Sequence, residues 1–143
     1  MIRVDNYHKT YRENVAVAGL SFSVEAGQIM GLLGPNGAGK TTTLRAIAGI
    51  IPPTQGHLAV AGYDVVTDPV DAKRELAYVP DDPKLFDALT VMEHLEFIAS
   101  AYDVYEWRVT ADQLLTQFEL QDHRNKLTRR APHRRTGYSA RCV

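Results

Sequence analysis

The sequence predicts an α/β fold organised around a phosphate-binding loop, and three stretches carry that prediction. Residues 29–44 run from an apolar segment through a glycine-rich loop into helical spacing. Leu20, Phe22 and Val24 alternate with Ser21, Ser23 and Glu25, the period-2 pattern of a half-buried strand. Thr90-Val-Met-Glu93 and Thr110-Ala-Asp-Gln113 each spell a capping box that opens a helix. Strands and a loop therefore come first and a helical section follows, with no internal repeat.

Residues 1–28 read as short strands. Val15 and Val17 alternate with alanines, and Ala26-Gly27 is a turn. Tyr11 lies in the polar stretch Thr10-Tyr-Arg-Glu-Asn14, upstream of the first of these strands. Ile29 to Leu33 is a continuous apolar run, which reads as a short buried strand ending at Gly34.

Gly34 to Thr41 then spells G-x-x-x-x-G-K-T, in the strand-loop-helix context the motif requires. Gly34, Gly37 and Gly39 allow backbone conformations closed to residues with a Cβ, so the loop amides can converge on one anion. The helix starts at Lys40, and its dipole and free N–H groups face the same point. Lys40 brings a full positive charge to the β- and γ-phosphates of a nucleoside triphosphate. Thr41 brings a hydroxyl ligand for Mg²⁺, an ion that needs few protein ligands.

The helix carries Leu44, Ile47 and Ala48 at apolar spacing and closes at Gly49. Turn residues follow at 52–56, then Leu58, Val60 and Gly62 alternate as an edge hairpin strand. Asp68-Pro69 is an N-cap with proline at the first helical position, for a short helix to about Glu75. Leu76 to Val79 reads as a strand stopped by Pro80, and Asp81 to Asp87 as a loop. The helix from Thr90 runs to about Tyr102, with Val91, Leu95, Ile98 and Tyr102 on one face. The helix from Thr110 buries Leu114, Leu115 and Phe118.

With 143 residues the chain has the length of one domain and no apolar run near the ~18 residues of a membrane helix. The N-terminus lacks the basic-then-apolar pattern of a secretory signal. Its one cysteine, Cys142, excludes an internal disulfide and a cysteine-based metal site. The net charge of −1 conceals an asymmetry: residues 1–122 carry a net −8, whereas 123–143 hold seven Lys/Arg and no acid.

Taken together these motifs resemble one family. Gly34-Pro-Asn-Gly-Ala-Gly-Lys-Thr-Thr42 is similar to the phosphate loop of ATP-binding-cassette (ABC) transporter ATPases. So are the lead-in at 20–29, Pro53-Thr-Gln-Gly56, Val60-Ala-Gly62, Tyr78-Val-Pro80 and Leu89-Thr-Val91 with Glu93 and Leu95. The resemblance covers about residues 1–122. It implies the front portion of an ABC-type phosphate-loop NTPase fold: a small antiparallel β-layer, a strand–loop–helix core and part of the helical subdomain.

The resemblance also implies site roles. Tyr11 would stack on adenine, a role that demands area rather than a hydrogen-bond code. Gly34, Pro35, Asn36, Gly37, Ala38, Gly39, Lys40, Thr41 and Thr42 would cradle the phosphates of ATP, with Mg²⁺ at Thr41. Asp81 stands where the family has a glutamine that touches the magnesium site. A carboxylate suits a hard cation, but this one is a methylene shorter and charged; Asp81-Asp82 as a solvated turn is the other reading. The intact relative would be a cytoplasmic ATPase subunit, peripheral at the membrane. It would pair head to tail with a second nucleotide-binding subunit and drive a membrane-spanning partner, with no specific nucleic acid involved.

The sequence departs from the family in what it lacks. No apolar run after Val79 ends in Asp-Glu, and no Ser-Gly-Gly signature is present; His123 and His133 lie in the wrong context for the family histidine. Apolar periodicity ends at Leu127, where the charge changes sign. We favour a displaced or prematurely ended reading frame over a natural basic arm or a genuine short variant. The division expected is a partial nucleotide-binding domain over 1–122 and a basic, disordered tail over 123–143, with weak ATP binding, negligible hydrolysis, exposed apolar surface and poor stability alone. Readings from other classes are a phosphate-loop kinase acting on a small acceptor and a non-catalytic regulator competing with a full-length subunit.

Overall fold

In the computed structural model, residues 1–80, 83 and 85–128 are described. They fall into two units, one over residues 1–79 and one beginning at Pro80.

The first unit is built on a long hairpin. β1 (Ile2–Tyr11) pairs antiparallel with β2 (Asn14–Val24) on one side and with β3 (Gln55–Val60) on the other. A two-residue β4 (Tyr63–Asp64) completes the sheet order β2-β1-β3-β4. Apolar residues stand in rows across it: Val24, Ile2 and Val60, then Phe22, Val4 and Leu58. The register then slips between Val4 and Tyr7, where Asn6 adopts a φ of 46°. That bulge inserts one residue, so an odd-numbered Tyr7 joins the core beside even-numbered Val4. Gly56 makes room for the bulge, since a side chain there would collide with the Asn6 carbonyl.

Helix α1 (Lys40–Ile47) packs on this sheet. Tyr7, Ala46, Leu58 and Val60 are all at most 3 % exposed, with Ile47, Val65 and Ala72 beside them. Full burial of a side chain such as Leu58 stabilises by roughly 1.5–3 kcal/mol. Helix α2 (Pro69–Arg74) has proline at its start as read from the sequence; the Asp68 carboxylate accepts from the Thr67 hydroxyl rather than from the helix amides.

Several elements differ from the sequence reading. β1 and β2 are long strands, not short ones, and Tyr11 is the last residue of β1 rather than a residue ahead of the strands. β3 lies inside the sheet between β1 and β4, not at its edge. Residues 29–33 are not a strand and are not buried: Ile29 is 87 % and Leu33 92 % exposed. Leu76 to Val79 likewise forms no strand, and Val79 is 75 % exposed. A parallel strand is stable only with neighbours and both faces covered, and neither segment has a strand partner among the described residues.

In the second unit, α3 (Val91–Ala101) opens on the Thr90 capping box read from the sequence. The Thr110 box is not one, because α4 (Trp107–Gln117) begins three residues earlier and holds Thr110 in its first turns. The buried positions also differ. Ala99 on α3, and Ala111 and Leu115 on α4, are buried, whereas Ile98, Tyr102, Leu114 and Phe118 remain substantially exposed. Small residues allow close helix approach and so displace the large ones outward. A 3₁₀ turn at Gln121–His123 follows. The chain then returns to the start of α3: Leu127 bridges to Thr90, the Val91 and Met92 amides donate to Lys126 and Arg124, and Thr128 donates to Leu89 and Phe86. This unit thus carries through Thr128, which is 3 % exposed; residues 129–143 of the basic tail lie outside the described residues. None of the described helices is long and apolar enough to cross a membrane.

Candidate nucleotide-binding site

The loop between residue 33 and α1 is shaped by its own backbone. Gly37 and Gly39 have left-handed φ angles of 86° and 82°, and the Ala38 amide closes a turn on the Pro35 carbonyl at 3.2 Å. A Cβ on Gly39 would lie 2.5 Å from the Ala16 carbonyl oxygen and 2.7 Å from Cγ2 of Val17. The loop therefore reaches β2 only because position 39 lacks a side chain.

The N-terminus of α1 has no side-chain cap and no acidic residue in its first turn. The amides of Lys40, Thr41 and Thr42 find no acceptor among the described residues. The start of α1 thus keeps an unneutralised dipole and free donors. Thr43, which the sequence reading passed over, is 1 % exposed; its amide and hydroxyl both donate to the Gly39 carbonyl, at 2.8 and 2.9 Å. It ties the last loop residue to the helix. The run of three threonines after Lys40 gave no sign of which one turns inward.

Lys40 folds over the loop. Its Nζ donates to the Gly34 and Pro35 carbonyls, each at 2.6 Å. An ammonium has three donors, so one remains for a ligand oxygen. The Thr41 side chain is exposed, and its hydroxyl has no partner among the described residues. No cluster of three or more His, Cys, Asp or Glu forms a metal cage among them. One free hydroxyl fits the needs of Mg²⁺, which takes most of its ligands from water and phosphate oxygens.

Tyr11 sits at the turn end of the hairpin, opposite Asn14 and 46 % exposed. Asn14 is two residues, ~7 Å, from Ala16, the residue against which Gly39 packs. The hairpin thus brings Tyr11 and the loop of residues 34–42 to one end of the first unit. Asp81 lies outside the described residues.

The family described as ABC transporter matches residues 17–139. The SkfA peptide export ATP-binding protein SkfE of Bacillus subtilis (strain 168) is 41 % identical over 102 residues, which cover 71 % of this chain and 42 % of that protein. A solved ATP-binding subunit of an ABC transporter superposes with a TM-score of 0.81 at 31 % identity, covering 88 % of this chain and 53 % of that one. The fold is shared with the ATP-binding cassette MJ0796, solved as a dimer bound to ADP and Pi, at a TM-score of 0.79 and 22 % identity; 92 % of this chain covers 63 % of that one.

The chain belongs to the ABC transporter family, and its fold is the N-terminal portion of the family's ATP-binding cassette. It spans less than two thirds of the length of the relatives it matches.

Proposed function

We propose that this chain binds ATP through residues 34–42 and contributes the nucleotide-holding part of an ABC transporter's ATP-binding component. The observation that carries the reading is the junction at the start of α1. Three amides without an acceptor among the described residues, an uncapped helix start and the Lys40 ammonium, held on the Gly34 and Pro35 carbonyls, all belong to this junction. A triphosphate supplies the negative charge and the acceptors they lack. Tyr11, at the same end of the unit, offers an exposed ring to the adenine.

The residues divide the work. Gly37 and Gly39 shape the cradle, Lys40 offsets phosphate charge, and Thr41 is the protein ligand for Mg²⁺; the family resemblance adds Asp81 as a candidate ligand. When bound, Mg²⁺ neutralises charge on the phosphates. Hydrolysis needs in addition a carboxylate that positions water, and the sequence has no Asp-Glu run after Val79 to provide one. The chain is therefore a binder with negligible turnover. Its partners would be a second nucleotide-binding subunit, arranged head to tail, and a membrane-spanning subunit, which place it at the cytoplasmic face of a membrane.

Calorimetric titration of the purified chain with Mg-ATP tests this. Saturable binding, lost in Lys40→Ala, is expected, with no steady phosphate release. A folded sample that ignores ATP and ADP at millimolar concentration overturns the binding reading. Phosphate release abolished by Lys40→Ala overturns the non-catalytic one.

A further inference from the structure

We propose that Lys9 is a positioning residue for the ring of Tyr11, holding it in place as a platform for the base; the inference rests on the reading of Tyr11 as the adenine-stacking residue. Lys9 precedes Tyr11 by two positions on β1, the spacing that puts side chains on one face of a strand. Its Nζ lies 5.1 Å from the centroid of the Tyr11 ring, within the range of a cation–π contact. The same Nζ donates to the Pro52 carbonyl at 2.7 Å.

The carbonyl that anchors Lys9 is itself fixed. Two residues on, the Thr54 amide donates to the His8 carbonyl at 2.9 Å, and the Thr54 hydroxyl accepts from the Thr10 amide at 3.1 Å. Lys9 thus stands between two bonds that tie residues 52–54 to residues 8–10. A free lysine side chain samples many rotamers. The Pro52 bond restricts this one, so the ammonium stays over the ring.

Two consequences follow for the ring. One face of Tyr11 is occupied by the ammonium, which leaves the opposite face for a purine. The cation also draws π-electron density toward itself. The free face then becomes a better partner for an electron-rich aminopurine. Neither effect acts on phosphate groups, so Lys9 governs only the contribution of the base.

The test compares ATP with inorganic tripolyphosphate, which has no base, on the full 143-residue chain. Lys9→Gln retains a donor for the Pro52 carbonyl without the charge, and Lys9→Met removes both. Each is expected to weaken ATP binding about three- to tenfold and to leave tripolyphosphate binding unchanged, while Lys9→Arg restores the ATP affinity. Tyr11→Ala is expected to erase the difference between the two ligands. If Tyr11→Ala leaves ATP affinity intact, the adenine-platform reading fails and the inference with it. If Tyr11→Ala weakens ATP but Lys9→Gln and Lys9→Met do not, the platform stands and the Lys9 inference is overturned. Equal weakening toward ATP and tripolyphosphate also overturns it, because Lys9 then acts as a general charge or a structural tie.

Discussion

Gly39 and Ala16 meet backbone to backbone: a methyl group on Gly39 would lie 2.5 Å from the Ala16 carbonyl oxygen. This contact seats the start of α1 against β2 and sets the distance between the cradle and the hairpin end that carries Tyr11.

Gly39→Ala therefore carries two penalties, a left-handed φ of 82° and a collision with backbone that has little freedom to yield. We expect a loss of about 2–3 kcal/mol and ATP affinity reduced more than tenfold. Gly37→Ala is the control. Its φ of 86° is as unfavourable, but a Cβ there meets nothing within 4 Å, so about 1 kcal/mol is expected. Thermal melts and titrations of the two variants give the comparison; equal losses would show that the Ala16 contact is immaterial.

Lys40→Met removes the ammonium that lies 2.6 Å from the Gly34 and Pro35 carbonyls while keeping most of the side-chain length. A ligand at a hundred times its Kd stabilises the folded state by about 2.7 kcal/mol. Saturating Mg-ATP should raise the wild-type melting temperature by several degrees and leave Lys40→Met unmoved. A shift of the same size in both proteins would remove the lysine from the site.

Tyr7 is fully buried, and its hydroxyl has no partner among the described residues. Tyr7→Phe keeps the ring and removes the orphan group, so stability should stay level or rise by about 1 kcal/mol. Burial, with a smaller contribution from Tyr11, pushes the Tyr7 hydroxyl up to about 12. The unfolded chain then ionises first, near pH 10. The stability linked to this group is complete below pH 10 and is lost as pH rises toward 12. Urea midpoints from pH 8 to 11.5 should fall less in Tyr7→Phe than in wild type.

The Thr90 amide donates to the Glu93 carboxylate at 2.7 Å and the Thr90 hydroxyl donates to it at 2.8 Å, while the Glu93 amide donates back to that hydroxyl at 3.2 Å. The backbone bond first, and then the hydroxyl bond, hold the Glu93 carboxyl below its usual range. A depressed carboxyl stabilises above its unfolded pKa and ceases to do so as pH falls through the folded one. The protection of amides at the start of α3, relative to the intrinsic exchange rate at each pH, should fall as the Glu93 carboxylate is protonated in acid. Thr90→Ala should cost about 1 kcal/mol and flatten that pH dependence. An unchanged acid profile in Thr90→Ala would dissociate the cap from it.

The features legible in the sequence are those encoded within a few neighbouring residues. The loop of residues 34–41, the start of α1 at Lys40, proline at the start of α2 and the Thr90 box all depend on positions no more than seven apart. The features that were not legible depend on distant partners. Strand β1 hides its alternation because the Asn6 bulge moves Tyr7 into phase with Val4. Thr110-x-x-Gln113 satisfies the local cap signature, yet burial of Ala111 and Leu115 selects a helix that already contains it. The run from Ile29 to Leu33 has the composition of a two-sided buried strand, but burial is conferred by neighbouring strands and not by composition. Ala16 and Lys9 carry no motif. They matter through contacts with Gly39 and Tyr11, residues that the sequence had already singled out.

The uncovered ribbon from Ile29 to Leu33 bears on how this polypeptide behaves at high concentration. Its peptide groups have no ladder partner among the described residues, and its greasy side chains face water. Any extended chain that drifts alongside can zip onto it. Self-adhesion then grows with crowding in the tube, since whole chains of net charge −1 repel one another little. Dilute handling is what this surface calls for.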